Sequence, residues 1–174
     1  MPEDRFDVVY LLLSGAATAA RGPEILRGLR ALFPLVFAIP TANAARVVSG
    51  RELAAVEGVQ VVESYFDLAI RPRPPHGVVL FAPCGFNSLN KLAQGIADTL
   101  ALSVAAEAIG RGTPVVVAPS LNQPLLDHPV ARASLATLPG WGVRIVPPMD
   151  DGGGPRLAPT AALLDAVRPF APGG

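Results

Sequence analysis

The sequence predicts an α/β fold: a single doubly wound (Rossmann-like) domain, residues 1–174, built on a parallel sheet of about six strands. Three observations predict it. Short apolar runs such as Val8–Leu13 are continuous rather than alternating, as strands buried on both faces are. Helical patterns separate these runs at the spacing of strand–helix crossovers. The 19 prolines and 17 glycines fall mostly at the ends of runs, where they act as punctuation rather than as a low-complexity tract.

The elements follow in order. The first strand, residues 8–13, is broken by Ser14-Gly15-Ala16. A helix then runs to about Leu32, with Ile25, Leu26, Leu29 and Leu32 on one face. A second strand, 35–39, stops at Pro40; residues 41–48 are a loop and a short helix, 51–56 a helical turn, and 59–62 a third strand. Residues 78–81 are the fourth strand, followed by a long helix over 89–109 that admits a break near Asp98. The fifth strand spans 113–118, a helix 127–138, a short sixth strand 143–146 and a closing helix 161–167. Residues 146–159, with Pro147-Pro148 and Gly152-Gly153-Gly154-Pro155, predict a mobile flap, and the last few residues fray.

Composition narrows the function. Fourteen acidic residues balance fourteen basic ones, which gives no reason to expect a nucleic acid or an anionic membrane as partner. Hydrophobic residues make up 51% and charged residues 16%, so apolar surface is expected to be buried between subunits. Cys84 is the single cysteine, which excludes an intramolecular disulfide and a cysteine metal cluster, and the two histidines lie far apart; no metal site is expected. No apolar stretch reaches the ~20 residues of a membrane span. The start, Met1-Pro2-Glu3-Asp4-Arg5, leans acidic and lacks signal-peptide features, so a cytoplasmic location is expected.

Residues 82–100 carry the most functional information. A strand ends there in a polar loop and a helix begins at once, so backbone N–H groups face open space and favour an anion or a polar ring edge. Asn87 can donate and accept at that junction, or cap the helix while Ser88 fills space. Lys91, the only lysine, fits a solvated helix position. Ser14-Gly15-Ala16 lets backbone approach a phosphate, or is a tight turn; it is neither the dinucleotide fingerprint nor a Walker loop. Thr41 fits a ligand contact or a cap for a helix starting near Ala44. Pro119-Ser120-Leu121-Asn122 ends the fifth strand, and Asn122 either binds a substrate carboxylate or amide or makes a turn. His128 fits a structural role at a helix start, and His76 an exposed loop. No Gly-x-Ser-x-Gly elbow or paired-His motif supports a hydrolase or metalloenzyme.

Together these segments resemble the flavin-containing cysteine decarboxylases, which include phosphopantothenoylcysteine decarboxylase and the enzymes that oxidatively decarboxylate C-terminal cysteines of peptides. The family's Pro-x-Ser-Ala-Asn-Thr, Lys and Gly-Ile-x-Asp-x-Leu pattern is similar to Pro83-Cys84-Gly85-Phe86-Asn87-Ser88, Lys91 and Gly95-Ile96-Ala97-Asp98-Thr99-Leu100. Its Pro-x-Met-Asn clamp and His-Pro resemble Pro119-Ser120-Leu121-Asn122 and His128-Pro129. Ser14-Gly15-Ala16, Thr41 with Ala44, and Pro155-Arg156-Leu157-Ala158 resemble its remaining segments. The resemblance implies bound FMN, with Ser14, Gly15 and Ala16 at the phosphate, Thr41 nearby, and Pro83, Cys84, Gly85, Asn87 and Ser88 at the ring. It implies Asn87 and Asn122, beside Leu121, at the substrate carboxylate, and a trimer or dodecamer with the flavin at subunit contacts. The substrate it implies is a cysteine-containing peptide or small thiol.

Two departures stand out. The family's catalytic His would fall near Ala69, within Phe66-Asp67-Leu68-Ala69-Ile70, where there is none. Asp67 and His76, with Asn87, are the candidates for catalysis. The coenzyme A branch's C-terminal Cys is also missing from 149–154. The resemblance leaves alternatives: a flavin prenyltransferase, which Pro83-Cys84 and Gly95-Ile96-Ala97-Asp98 also fit; a phosphopantothenoylcysteine decarboxylase; and a catalytically degenerate FMN-binding subunit.

Overall fold

The computed structural model describes residues 4–71 and 73–173. The acidic-leaning Met1-Pro2-Glu3 and the terminal Gly174 therefore lie outside the described residues. Six strands, β1 (Val8–Leu13), β2 (Leu35–Pro40), β3 (Val59–Val61), β4 (Val78–Cys84), β5 (Val115–Pro119) and β6 (Arg144–Ile145), form one sheet in the order β3-β2-β1-β4-β5-β6. Every pairing is parallel.

The continuous apolar runs exist because both faces of the sheet are covered. Along β1, successive side chains alternate between two cores. Val9, Leu11 and Leu13 enter one with Leu26, Leu29 and Leu80, under α1 (Gly22–Leu32) and α7 (Thr160–Val167). Tyr10 and Leu12 enter the other with Phe81, Leu89, Ala105 and Val117. Three helices cover that second face: α3 (Phe86–Ala93), α4 (Leu100–Arg111) and α6 (Pro129–Thr137). Between these lie α2 (Gly50–Ala54), which starts at a Ser49–Glu52 capping box, and α5 (Gln123–Leu126).

Several boundaries differ from the sequence pattern, each for a local reason. The strand β4 runs three residues past Phe81, through Pro83 and Cys84, with its ladder irregular between Phe81 and Cys84. Residues 89–109 are not one helix: α3 already begins at Phe86, and Gly95, at φ +73°, lets the chain turn into α4. The admitted break near Asp98 is real. The first helix is preceded by a separate 3-10 turn, Ala17–Arg21, because Pro23 fits only the opening turn of α1. Strand β5 starts at Val115 rather than Thr113, and β6 holds only two residues. Within 146–159, Met149 and Arg156 pair in an antiparallel bridge, and Asp150 Oδ1 accepts from the N–H groups of Gly152 and Gly154 at 2.8 and 3.1 Å. Arg21 then ties the segment down by donating to the carbonyls of Leu157 and Ala158. Among the described residues no helix is long and apolar enough to cross a membrane.

Leu80 is fully buried at the centre of β4. Leu80→Ala is expected to cost about 2–5 kcal/mol. A fall in the denaturant midpoint without a change in slope checks it.

Candidate functional site

The sheet order creates a crevice. β1 leads to α1 on one face and β4 leads to α3 and α4 on the other, so their exit loops part at the carboxyl edge. A cavity of about 570 Å³ opens there. The turn after β1 contributes Ser14, Gly15 and Ala16, and that after β2 Thr41, Ala42 and Asn43. Gly85 and the first two turns of α3 (Phe86, Asn87, Ser88 and Lys91) form one wall. Ser120, Leu121, Asn122 and Leu125 form another, and Thr99 and Leu102 of α4 complete the lining.

Ser14 holds the two central exits together. Its Oγ donates to the Pro83 carbonyl at 2.9 Å and accepts from the Gly85 N–H at 2.7 Å, while its own N–H also donates to Pro83. The single hydroxyl proton is thereby used inside the protein, so the donors this turn offers to an anion are backbone ones. The Gly15 N–H has no partner among the described residues. A Cβ at Gly15 would collide with the Asn43 side chain, so glycine is what allows the first two turns to close on each other. Thr18 Oγ1 and Ser120 Oγ, 2.7 Å apart, tie the β1 exit to the β5 exit in the same way.

The wall from α3 differs from the sequence reading. Gly85, not Asn87, is the N-cap, and no side chain caps this helix. Its first N–H groups therefore remain open to the cavity, where the positive end of the helix dipole favours an anion or an electron-rich ring edge. Asn87 and Ser88 sit inside the first turn. Asn87 is exposed and its amide makes no hydrogen bond among the described residues, so it can both donate and accept.

Thr41 and Asn122 make the local capping contacts the sequence left open, and both also line the cavity. Thr41 Oγ1 accepts from the Ala44 N–H at 3.2 Å, and Asn122 Oδ1 accepts from the Leu125 N–H at 3.1 Å as the N-cap of α5. Each keeps a donor for the cavity: the hydroxyl proton and the Nδ2 group. His128 is structural, as expected: its Nδ1 accepts from Val130 N–H at 3.1 Å, and its ring meets Phe86 edge-on with centroids 5.2 Å apart.

Four predicted residues are not brought to the cavity. Pro83 and Cys84 lie in β4 behind it. The Cys84 side chain is buried in the core beneath α3 and α4, and burial pushes its thiol up, so it stays protonated. Asp67 caps a turn by accepting from Ala69 N–H at 2.8 Å, and His76 is exposed in the loop before β4; neither lines the cavity. Conversely, Ala42, Asn43, Leu102 and Leu125 line it without having been marked from sequence, as do Phe86, Thr99 and Ser120, quoted only within the resembling motifs, and Lys91, read as a solvated helix residue. Lys91 carried a usable signal: it lies four residues after Asn87, on the same face once the helix register is known.

The arrangement suits a ligand with an anionic end and a polar, flat body. Neutral donors dominate the walls, the helix end is open, and Phe86, Leu102, Leu121 and Leu125 supply apolar surface. A six-stranded parallel sheet with donors gathered at its switch point defines a doubly wound α/β protein of the cofactor-binding class. The chain belongs to the Flavoprotein family, whose model matches residues 3–171.

A coenzyme A biosynthesis bifunctional protein CoaBC from Thermococcus kodakarensis is 25% identical over 165 residues, covering 91% of this chain and 41% of that protein. The chain thus spans about two-fifths of the length of the first of the curated relatives it matches. The fold matches a PPC decarboxylase mutant complexed with pantothenoylaminoethenethiol at a TM-score of 0.79, with 21% identity, covering 97% of this chain and 98% of that one. It also matches an FMN-dependent cysteine decarboxylase, TvaF, from thioviridamide biosynthesis, at a TM-score of 0.69 and 22% identity, covering 80% and 88%.

Ser14→Ala strips the Gly85 N–H of its partner and loosens the β1–β4 junction. The expected cost is about 1–3 kcal/mol of stability, read by thermal or chemical denaturation, with ligand binding weakened as well.

Proposed function

We propose that this chain binds FMN in the cavity and catalyses the oxidative decarboxylation of a cysteine-containing substrate, a peptide C-terminal cysteine or a small thiol, to an enethiol. The observation that carries the reading is the cavity itself, with the open α3 N-terminus and the unpartnered Asn87 amide at the switch point of the sheet. Family membership and the cysteine decarboxylases among the matched structures support the reaction class.

In this reading the backbone at Gly15, with Ala16 and the Thr41 hydroxyl, holds the phosphate. Gly85, Asn87 and Ser88 meet the ring. FMN held there would supply a two-electron acceptor for oxidation of the cysteine side chain, the change that lets its carboxylate leave as CO2. The Asn87 and Asn122 amides orient the substrate carboxylate without neutralising it. Leu121 keeps water from that carboxylate, whose charge disappears as CO2 leaves.

The reading includes a homo-oligomer, a trimer or dodecamer with the cofactor at subunit contacts. Tyr65, Phe66 and Leu68 support it, with Phe66 and Leu68 77% and 84% exposed on one turn. Asp67 lies between those two. Because it does not line the cavity of its own chain, a proton-transfer role for Asp67 requires that contact.

A second reading, an FMN-binding subunit without catalysis, is favoured by one observation: among the described residues, Lys91 is the only titratable side chain lining the cavity.

Purified protein is expected to be yellow, with the two visible flavin absorption bands lost on denaturation and FMN recovered in the supernatant. Colourless protein that ignores added FMN refutes the cofactor. With cysteine-ended peptides, CO2 release is expected, and Asn87→Ala should reduce it roughly 10- to 100-fold, the worth of a hydrogen bond to a charged group. Bound FMN without CO2 release from any cysteine-ended peptide or small cysteine thiol selects the binding subunit instead.

A further inference from the structure

Lys91 is the single lysine of the chain and the only formally charged side chain among the described residues that line the cavity. The α3 helix places it one turn beyond Asn87 and three residues beyond Ser88, on the face that forms the wall. Its ammonium lies 2.7 Å from Asp98 Oδ2. Asp98 stands in the turn between α3 and α4 that Gly95 permits, next to Thr99, which itself lines the cavity and caps α4 through the Leu102 N–H at 3.2 Å. The hydrogen bond from Lys91 holds the Asp98 carboxyl below the usual carboxylate range. The ammonium sits half-exposed at the rim, paired with a carboxylate that directly precedes the Thr99 cap of α4.

The reacting carboxylate does not need this cation. Decarboxylation removes negative charge from the carboxylate, so a paired ammonium would stabilise the starting state more than the transition state and slow the step. Neutral amides suit that group better, and the cavity supplies them in Asn87 and Asn122. A cation helps where negative charge grows. On the FMN reading above, charge grows on the cofactor: two electrons and one proton taken up leave it one unit more negative.

Resting on that reading, we propose that Lys91 compensates the charge bound FMN gains on reduction, and that Asp98 is a positioning residue that fixes the ammonium and damps its field. Charge near a flavin ring tunes its electronics. The two members of the pair then act in opposite directions on one quantity, the preference for reduced over oxidised FMN.

The test uses purified holoprotein. Affinity for oxidised FMN is read by fluorescence titration, and the midpoint potential by anaerobic dithionite reduction against a reference dye. Lys91→Met is expected to lower the preference for the reduced form about tenfold, close to 30 mV for a two-electron couple, with Lys91→Arg restoring it. Asp98→Asn is expected to move the potential the other way. Equal loss of affinity for both redox forms in both variants, or an unchanged potential with FMN still bound, overturns the proposal and leaves the cofactor reading standing. Wild-type protein that binds no FMN overturns both.

Discussion

The side chain of Ser14 is where the architecture and the site meet. One buried hydroxyl joins the end of β1 to the end of β4 by donating to Pro83 and accepting from Gly85. These are the strands whose following helices take opposite faces of the sheet, so without a tie their exits would separate freely. The tie sets the width of the crevice, presents the open end of α3 to it, and carries Gly15 against the β2 exit at Asn43. A buried hydroxyl with both roles satisfied also avoids the cost of an orphaned polar group in a dry junction.

The cavity has a consistent electrostatic character. Its walls hold hydroxyls, amides and open backbone N–H groups in number, but one ammonium, and that ammonium is already paired. Such a site can orient anions without holding any of them in a deep ion pair. On the proposed reading that property matters, because one negative charge is lost from a carboxylate while another is gained on the cofactor. Helix dipoles and neutral amides, fixed by the fold, provide it without reorganisation at the moment of reaction.

The second exposed feature, the turn bearing Tyr65, Phe66 and Leu68, does not line the cavity, although the Tyr65 hydroxyl donates to the carbonyl of Thr99, which does. Arg71 lies over the Phe66 ring, 5.8 Å from its centroid, and Tyr65 donates to the Ser103 hydroxyl of α4, so the turn is held in shape while its apolar tip faces out. A shaped apolar tip of this kind has the character of a contact surface, and it agrees with the apolar surplus of the composition.

The amino-acid order by itself determined the strands, the helix-bearing segments between them and the parallel doubly wound class, because burial on both faces leaves a continuous apolar signature that no local turn can mimic. It also marked Ser14, Gly15, Thr41, Asn87 and Asn122 at strand ends, with a turn or cap as the alternative for each, and the resemblance to a family implied their binding roles. Tertiary structure decided the rest. Whether α3 begins at Phe86 or at Leu89 depends on how far β4 extends beside β5, and that moved Asn87 from a cap into a wall. Whether Cys84 faces the cavity or the core follows from strand parity through an irregular ladder. Whether Asp67 and His76 reach the cavity depends on a loop path with no periodicity to read. Lys91 was already marked as the only lysine, but its pairing with Asp98 emerged only when two helices met, because proximity across a turn is a property of packing and not of spacing along the chain.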